Sequence, residues 1–167
     1  DAFFQVNIPM YEIVLQKIRS VTAGIPKIVD MYSGVGTIGL LCDAAEVVLV
    51  ELDSENARAA ERNLAASGKR GEVVQASTEK ALDYITDVPI IFDPPRAGLH
   101  HKVVERVLEA LPEKIVYLSC NPSTQARDMA VLSAAYKIAD AHIYNFFPRT
   151  PHIESLLILE RSARIEP

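Results

Sequence analysis

Five short apolar runs, separated by stretches with helical spacing, constrain this chain more than any other feature. They are Lys27–Tyr32 (KIVDMY), Val47–Leu52 (VVLVEL), Glu72–Ala76, Pro89–Asp93 (PIIFD) and Ile115–Ser119 (IVYLS). Most leave no polar face for water, which suits strands of a parallel sheet covered on both sides. Between them, Ser54–Ser67 opens on a capping-type Ser and stops before Gly68, a helix with recognisable ends. His101–Leu111 puts Val103, Val104, Val107, Leu108 and Leu111 on one stripe. Ser123–Ser133 follows Asn121-Pro122, a favourable helix start, and Pro9–Ser20 reads as an added helix ahead of the first strand. This alternation predicts a doubly wound α/β sheet with right-handed crossovers. The tail departs from it. Tyr136–Phe146 and Ile153–Leu159 are strand-like runs with only a Pro-containing loop between them, so they are expected to pair antiparallel.

The 167 residues fit one domain, 1–167, with a core of ordinary size. No apolar run approaches the roughly 18 residues of a membrane span, and no secretory signal is present, so no membrane role is expected. The chain begins with Asp1 rather than Met, as a fragment or processed chain would. Two cysteines, Cys42 and Cys120, do not make a disulfide framework, and a reduced, cytoplasmic setting is expected. Cys42 reads as inert packing in the middle of an apolar helix. His100, His101, His142 and His152 combine with the cysteines in no zinc-ligand spacing, so no metal is expected. Net charge is −5, with 8 basic and 12 acidic residues up to Asp83 and 9 and 10 after it. Neither half is a basic nucleic-acid footprint.

The first strand runs into Asp30-Met-Tyr-Ser-Gly34-Val-Gly36-Thr-Ile-Gly39, a literal G-x-G-x-x-G at a strand-to-helix turn. Glycines let a ligand approach the backbone closely. Such a loop cradles a pyrophosphate, or equally accepts the methionine part of S-adenosylmethionine, which carries no phosphate. Glu51 ends the second strand, where a carboxylate can accept both ribose hydroxyl protons of either cofactor. Asp53, just beyond, reads as a solvated or helix-capping acid. The fourth strand ends in Asp93-Pro94-Pro95-Arg96. Two prolines forbid an immediate helix and stiffen the loop, holding Asp93 at the carboxyl edge of the sheet. Asp/Asn-Pro-Pro here resembles methyltransferases of bases or amides rather than nicotinamide dehydrogenases. The fifth strand ends Ser119-Cys120-Asn121-Pro122 at the same edge. Proximity to a helix N-terminus can depress a thiol pKa.

Taken together, FFQVN (Phe3–Asn7), DMYSGVGTIGL (Asp30–Leu40), DPPRAGL (Asp93–Leu99), SCNPSTQARD (Ser119–Asp128) and FPRTPHIES (Phe147–Ser155) resemble, in order, the motifs of the RNA uracil-C5 methyltransferases. That family makes 5-methyluridine in tRNA and 23S rRNA, and the resemblance spans nearly the whole chain. It implies a Rossmann-like class I methyltransferase fold, a seven-stranded mostly parallel sheet with an antiparallel last strand pair. It implies S-adenosyl-L-methionine as cofactor, RNA as partner and a monomeric catalytic domain. By position, Cys120 would be the nucleophile and Glu154 the base that removes the C5 proton. Gln5, Tyr32, Gly34, Gly36, Thr37, Glu51, Ser77 and Asp93 would line the cofactor site, and Arg96 and Arg127 would meet phosphate or base. Ser33 stands where the family usually has Cys, and Asn145 where it usually has Asp. The family's N-terminal regions, an RNA-binding β-barrel and a segment that sometimes carries an iron–sulfur cluster, are absent from these 167 residues.

Uracil C5 is a poor nucleophile until a thiolate adds to C6, so this chemistry needs a thiolate and a base on one ring. The target base must also leave its stack. Three rival readings remain: an exocyclic-amine or protein-amide methyltransferase, which needs no cysteine, a catalytically silent binding domain, and a nicotinamide dehydrogenase. Because phosphate neutralisation supplies most non-specific affinity, the 167 residues alone are expected to bind structured RNA only weakly at physiological salt. Sub-micromolar affinity in a filter-binding titration would overturn this.

Overall fold

The computed structural model describes residues 7–150 and 152–162. Helix α1 (Ile8–Val21) leads into strand β1 (Lys27–Met31), and a five-residue helix α2 (Thr37–Leu41) crosses to β2 (Glu46–Glu51). Helix α3 (Ser54–Ser67), β3 (Arg70–Gln75) and two single 3₁₀ turns precede β4 (Ile90–Phe92). Helix α4 (His101–Ala110), β5 (Lys114–Ser119), α5 (Pro122–Leu132), β6 (Tyr136–Tyr144) and β7 (Glu154–Arg161) complete the order. One sheet holds all seven strands in the order β3-β2-β1-β4-β5-β7-β6. The first five pair parallel, and β7 slots between β5 and β6, antiparallel to both.

The unbroken apolar runs follow from burial of both faces. Val29, Met31, Val48, Val50, Phe92 and Tyr117 point to one side, against Val103, Val104 and Val107 of α4 and Leu132 of α5. Their neighbours Ile28, Val47, Leu49, Ile91, Val116 and Leu118 point to the other, against Val14 and Ile18 of α1 and Ala60 of α3. Each such side chain contributes about 1.5–3 kcal/mol on burial, and alternation along each strand fills both layers. Strand β3 is the exception, an edge strand with mostly exposed positions, as its weaker pattern suggested.

The strand and helix bounds fall close to those read from the sequence, with two corrections. Ser54 does not cap α3. Asp53 does, its Oδ1 accepting from the N–H groups of Glu55 and Asn56 at 2.9 Å, and Ser54 is the first helical residue. A carboxylate also suits the positive helix end better. Cys42 does not sit inside a helix. Helix α2 stops at Leu41, and Cys42 is its extended C-cap, still buried.

Two loops at the carboxyl edge are locked together by α5. Its Asn121 cap holds Ser123 N–H on Oδ1 and donates from Nδ2 to Arg96 O at 2.9 Å. Buried Asp128 takes Leu99 N–H at 2.8 Å and Tyr117 O–H at 2.7 Å on one oxygen, and Arg127 on the other. Gly98 has φ +78°, and a Cβ there would stand 2.7 Å from both Arg127 Nη2 and Asp128 Oδ2, so only glycine lets the loop close on the helix. Asp128→Ala strands two buried donors and is expected to cost about 2–5 kcal/mol. Denaturant titration should show a lower midpoint at unchanged slope.

Candidate active site

The carboxyl edge of the sheet carries two adjoining cavities. The larger, about 1010 Å³, runs from Tyr32 and Glu51 past Ser77 and Asp93 to Leu99, His100 and Arg127. The smaller, about 530 Å³, is lined by Asp93, Pro94, Pro95, Arg96, Cys120, Phe147, His152 and Glu154. Asp93 and Pro95 belong to both, so the rigid Pro-Pro turn is a common wall.

Four expected cofactor residues, Tyr32, Glu51, Ser77 and Asp93, thus meet in the larger cavity. Gly34, Gly36 and Thr37 are not among its lining residues. Glu51 Oε2 accepts the Gly34 N–H at 2.8 Å, and its Oε1 accepts the Asp53 N–H at 2.8 Å, which leaves lone pairs on both oxygens. Gly36 caps α2 with φ 87°, and a Cβ there would press on Leu49 Cδ1 at 2.9 Å. Tyr32 also adopts a left-handed φ of 66°, a strained state for a non-glycine residue. Oδ1 of Asp30 and Oγ of Ser33, buried at this loop, find no hydrogen-bond partner among the described residues. Gln5 lies outside the described residues.

Cys120 and Glu154, far apart in sequence, are brought together by strand register. The last β5–β7 pair is Ser119 with Ser155, so one step further sets Cys120 opposite Glu154, on one face. Buried Gln125 reinforces the pairing by donating from Nε2 to Tyr117 O at 2.9 Å and Ser155 O at 3.3 Å. Glu154 is 6% exposed, and burial pushes its carboxyl up to about 7. Burial, then Glu154, pushes Asp93 up to about 7.

One expectation is corrected here. The Cys120 thiol is not depressed by the adjoining helix. Burial raises its pKa, the charges of Glu154 and Asp93 add to this, and Arg96 opposes them. Arg127 lines the larger cavity rather than the one that contains Cys120. Its Nε and Nη2 hold Asp128, and Nη2 also reaches the carbonyls of Ala97 and Leu99. Arg96 does line that cavity. The sequence reading assigned no role to Phe147, His152, Gln125 or Asp30. The motifs containing all four had been noted, but only the folded chain gives each a neighbour.

A seven-stranded sheet with a reversed last strand and a two-chambered cleft at its carboxyl edge is the fold of the S-adenosylmethionine-dependent methyltransferases. The tRNA (uracil-5-)-methyltransferase family profile matches residues 78–162, and the chain belongs to that family. A tRNA (uracil(54)-C(5))-methyltransferase of Pyrococcus horikoshii is 37% identical over 155 residues, covering 92% of this chain and 37% of the relative. An uncharacterized RNA methyltransferase of Enterococcus faecalis is 37% identical, covering 96% of this chain and 38% of its own length. The crystal structure of the Pyrococcus abyssi tRNA (uracil-54, C5)-methyltransferase in complex with S-adenosyl-L-homocysteine superposes with TM-score 0.83 at 35% identity, over 95% of this chain and 40% of that one. The chain therefore spans about two-fifths of the length of these relatives. Among the described residues no helix is long and apolar enough to cross a membrane, and no group of His, Cys, Asp or Glu could hold a metal ion.

The raised carboxyls make stability depend on pH. Glu154 ordinarily titrates at 4.5 and here near 7, so the folded state holds its proton longer than the unfolded chain does. The stability this contributes is complete below about pH 4.5 and is lost as pH rises through about 7. Glu154→Gln, which never ionises, is expected to exceed the parent by about 1–3 kcal/mol at about pH 8, with the gap closing toward about pH 4. Thermal melts at both pH values check this, and a pH-independent difference would count against the buried setting of Glu154.

Proposed function

We propose that residues 1–167 form the catalytic domain of a methyltransferase that acts on carbon 5 of a uridine in RNA, of tRNA or 23S rRNA type, through a covalent adduct at Cys120. The observation carrying this reading is the β5–β7 register, which faces a thiol with a carboxyl in one cavity and leaves Asp93 and Pro95 as the wall shared with a second. The larger cavity suits S-adenosylmethionine. Glu51 keeps free lone pairs for ribose hydroxyls, and unpartnered Asp30 Oδ1 and Ser33 Oγ await donors or acceptors at the glycine loop. Gln5, Tyr32, Gly34, Gly36, Thr37, Ser77 and Asp93 complete the cofactor set, and the bound cofactor supplies an electrophilic methyl group on sulfonium. All these groups lie on one chain, so a monomer suffices.

In this scheme the Cys120 proton passes to solvent and Sγ bonds to uracil C6, which pushes the C5–C6 pair toward the C4 carbonyl as an enolate with electron density at C5. C5 takes the methyl group as the sulfonium carbon–sulfur bond breaks. Glu154 then removes the C5 proton, the ring double bond re-forms, and the Sγ–C6 bond breaks to release the thiolate. A carboxyl raised to about 7 suits a base at neutral pH. Burial works against the free thiolate.

The two residues act at opposite ends of the sequence of steps, so their variants should fail differently. Cys120→Ala should transfer no methyl group and form no adduct. Glu154→Gln should add, accept the methyl group and stall, accumulating a methylated RNA–protein adduct that survives denaturing electrophoresis. With a labelled methyl donor and a high concentration of a short uridine-containing RNA, label should migrate with Glu154→Gln protein only. Normal turnover by Cys120→Ala would replace this reading with an amine-methylating one.

A further inference from the structure

The cavity that contains Cys120 also contains an arginine–histidine pair. Arg96 Nη2 lies 3.2 Å from His152 Nδ1. A guanidinium has donors and no acceptor, so His152 Nδ1 must accept, and its ring proton sits on Nε2. The His152 backbone N–H donates to Thr150 Oγ1 at 3.2 Å, and its ring meets Phe147 edge-on at 6.3 Å. The other end of Arg96 is held by the loop that bears the nucleophile, since its carbonyl accepts from Asn121 Nδ2 at 2.9 Å and Thr124 Oγ1 at 3.2 Å. Asn121 directly follows Cys120. Arg96 is thus tied at its backbone to the Cys120 turn and at its guanidinium to the loop before Glu154.

We propose that His152 is a positioning residue that holds the Arg96 guanidinium in the Cys120 cavity, where the cation stabilises the thiolate against the two carboxylates sharing that space. The inference rests on the covalent role proposed for Cys120. Asp93 and Glu154 both line the cavity, and to the extent that they ionise their charges oppose formation of a third. Arg96 acts on the thiol in the opposite direction. An arginine side chain in water samples many rotamers, and each one turned away from the cavity withdraws its charge. Accepting Nη2 on a ring that meets Phe147 edge-on favours the rotamers that keep the cation at the cavity. Deletion of the acceptor leaves the cavity lined but loosens its one cationic side.

The test is the rate at which iodoacetamide alkylates the free chain, followed by mass across pH. Cys42 is 3% exposed and its thiol is pushed up to about 11, so a folded molecule labels at Cys120 alone. A second adduct identifies unfolded molecules, which are left out of the rate. His152→Phe keeps the ring and removes the acceptor. It should slow alkylation at neutral pH by about three- to tenfold and move the rate profile to higher pH. His152→Asn, whose Oδ1 can stand in for Nδ1, should retain most of the parent rate. Arg96→Gln should slow the reaction at least as much, and adding His152→Phe to it should slow it no further. A parental rate and profile for His152→Phe, or additive slowing in the double variant, would overturn the proposal. The outcome is separable from the covalent reading. If Cys120→Ala still methylates RNA, covalent catalysis falls whatever the alkylation rates show. If Cys120→Ala is inactive and His152→Phe alkylates normally, only the role of His152 falls.

Discussion

The antiparallel pairing of β5 with β7 is the constraint on which the site depends. Five parallel strands deliver their loops to one edge by topology alone, but none of those loops carries Glu154. Inserting β7 between β5 and β6 brings a late strand in from the opposite direction, so that its first residue meets the last turn of β5. The register Ser119–Ser155 leaves little freedom beyond it. A slip by one residue would turn Glu154 to the other face of the sheet. Gln125, bonded to a carbonyl on each strand, ties α5 to both members of the pair, so the helix that follows Cys120 also holds the strand that begins at Glu154.

The same packing creates the chemistry of the acids. Apolar burial on both faces of the sheet leaves its carboxyl edge poorly solvated. Asp30, Asp93 and Glu154 are all held above their ordinary values, chiefly by burial. This works against stability at neutral pH and in favour of proton transfer there. It also explains why the thiol is not depressed. A helix N-terminus is a fraction of a charge, whereas two nearby carboxylates and a poorly hydrated pocket act the other way.

Much of this was readable from residues because period and punctuation act locally. Continuous runs such as VVLVEL report two buried faces, and Asn121-Pro122 reports a helix start. The antiparallel tail followed from the absence of a helix between Tyr136–Phe146 and Ile153–Leu159. The Gly34–Glu51 pairing was half visible, as a loop and an acid at the next strand end. What could not be read were contacts made between distant segments. Ser54 and Asp53 are both good caps, and only the geometry decides between them. The bonds of Arg127 to the carbonyls of Ala97 and Leu99 join segments distant in sequence. The shift of Cys120 depends on Glu154 and Asp93, neither of them a chain neighbour. His152 gained a role only when Arg96 arrived from another loop.

The Pro-Pro turn shared by the two cavities makes their shapes interdependent. A residue change at Asp93 or Pro95 alters the outline of both chambers at once, so neither pocket can be reshaped there alone. Reshaping one cavity alone must proceed from lining the other lacks, at Phe147 on one side and Leu52 or His101 on the other. The wall between them acts as a fixed septum around which the two rims can diversify.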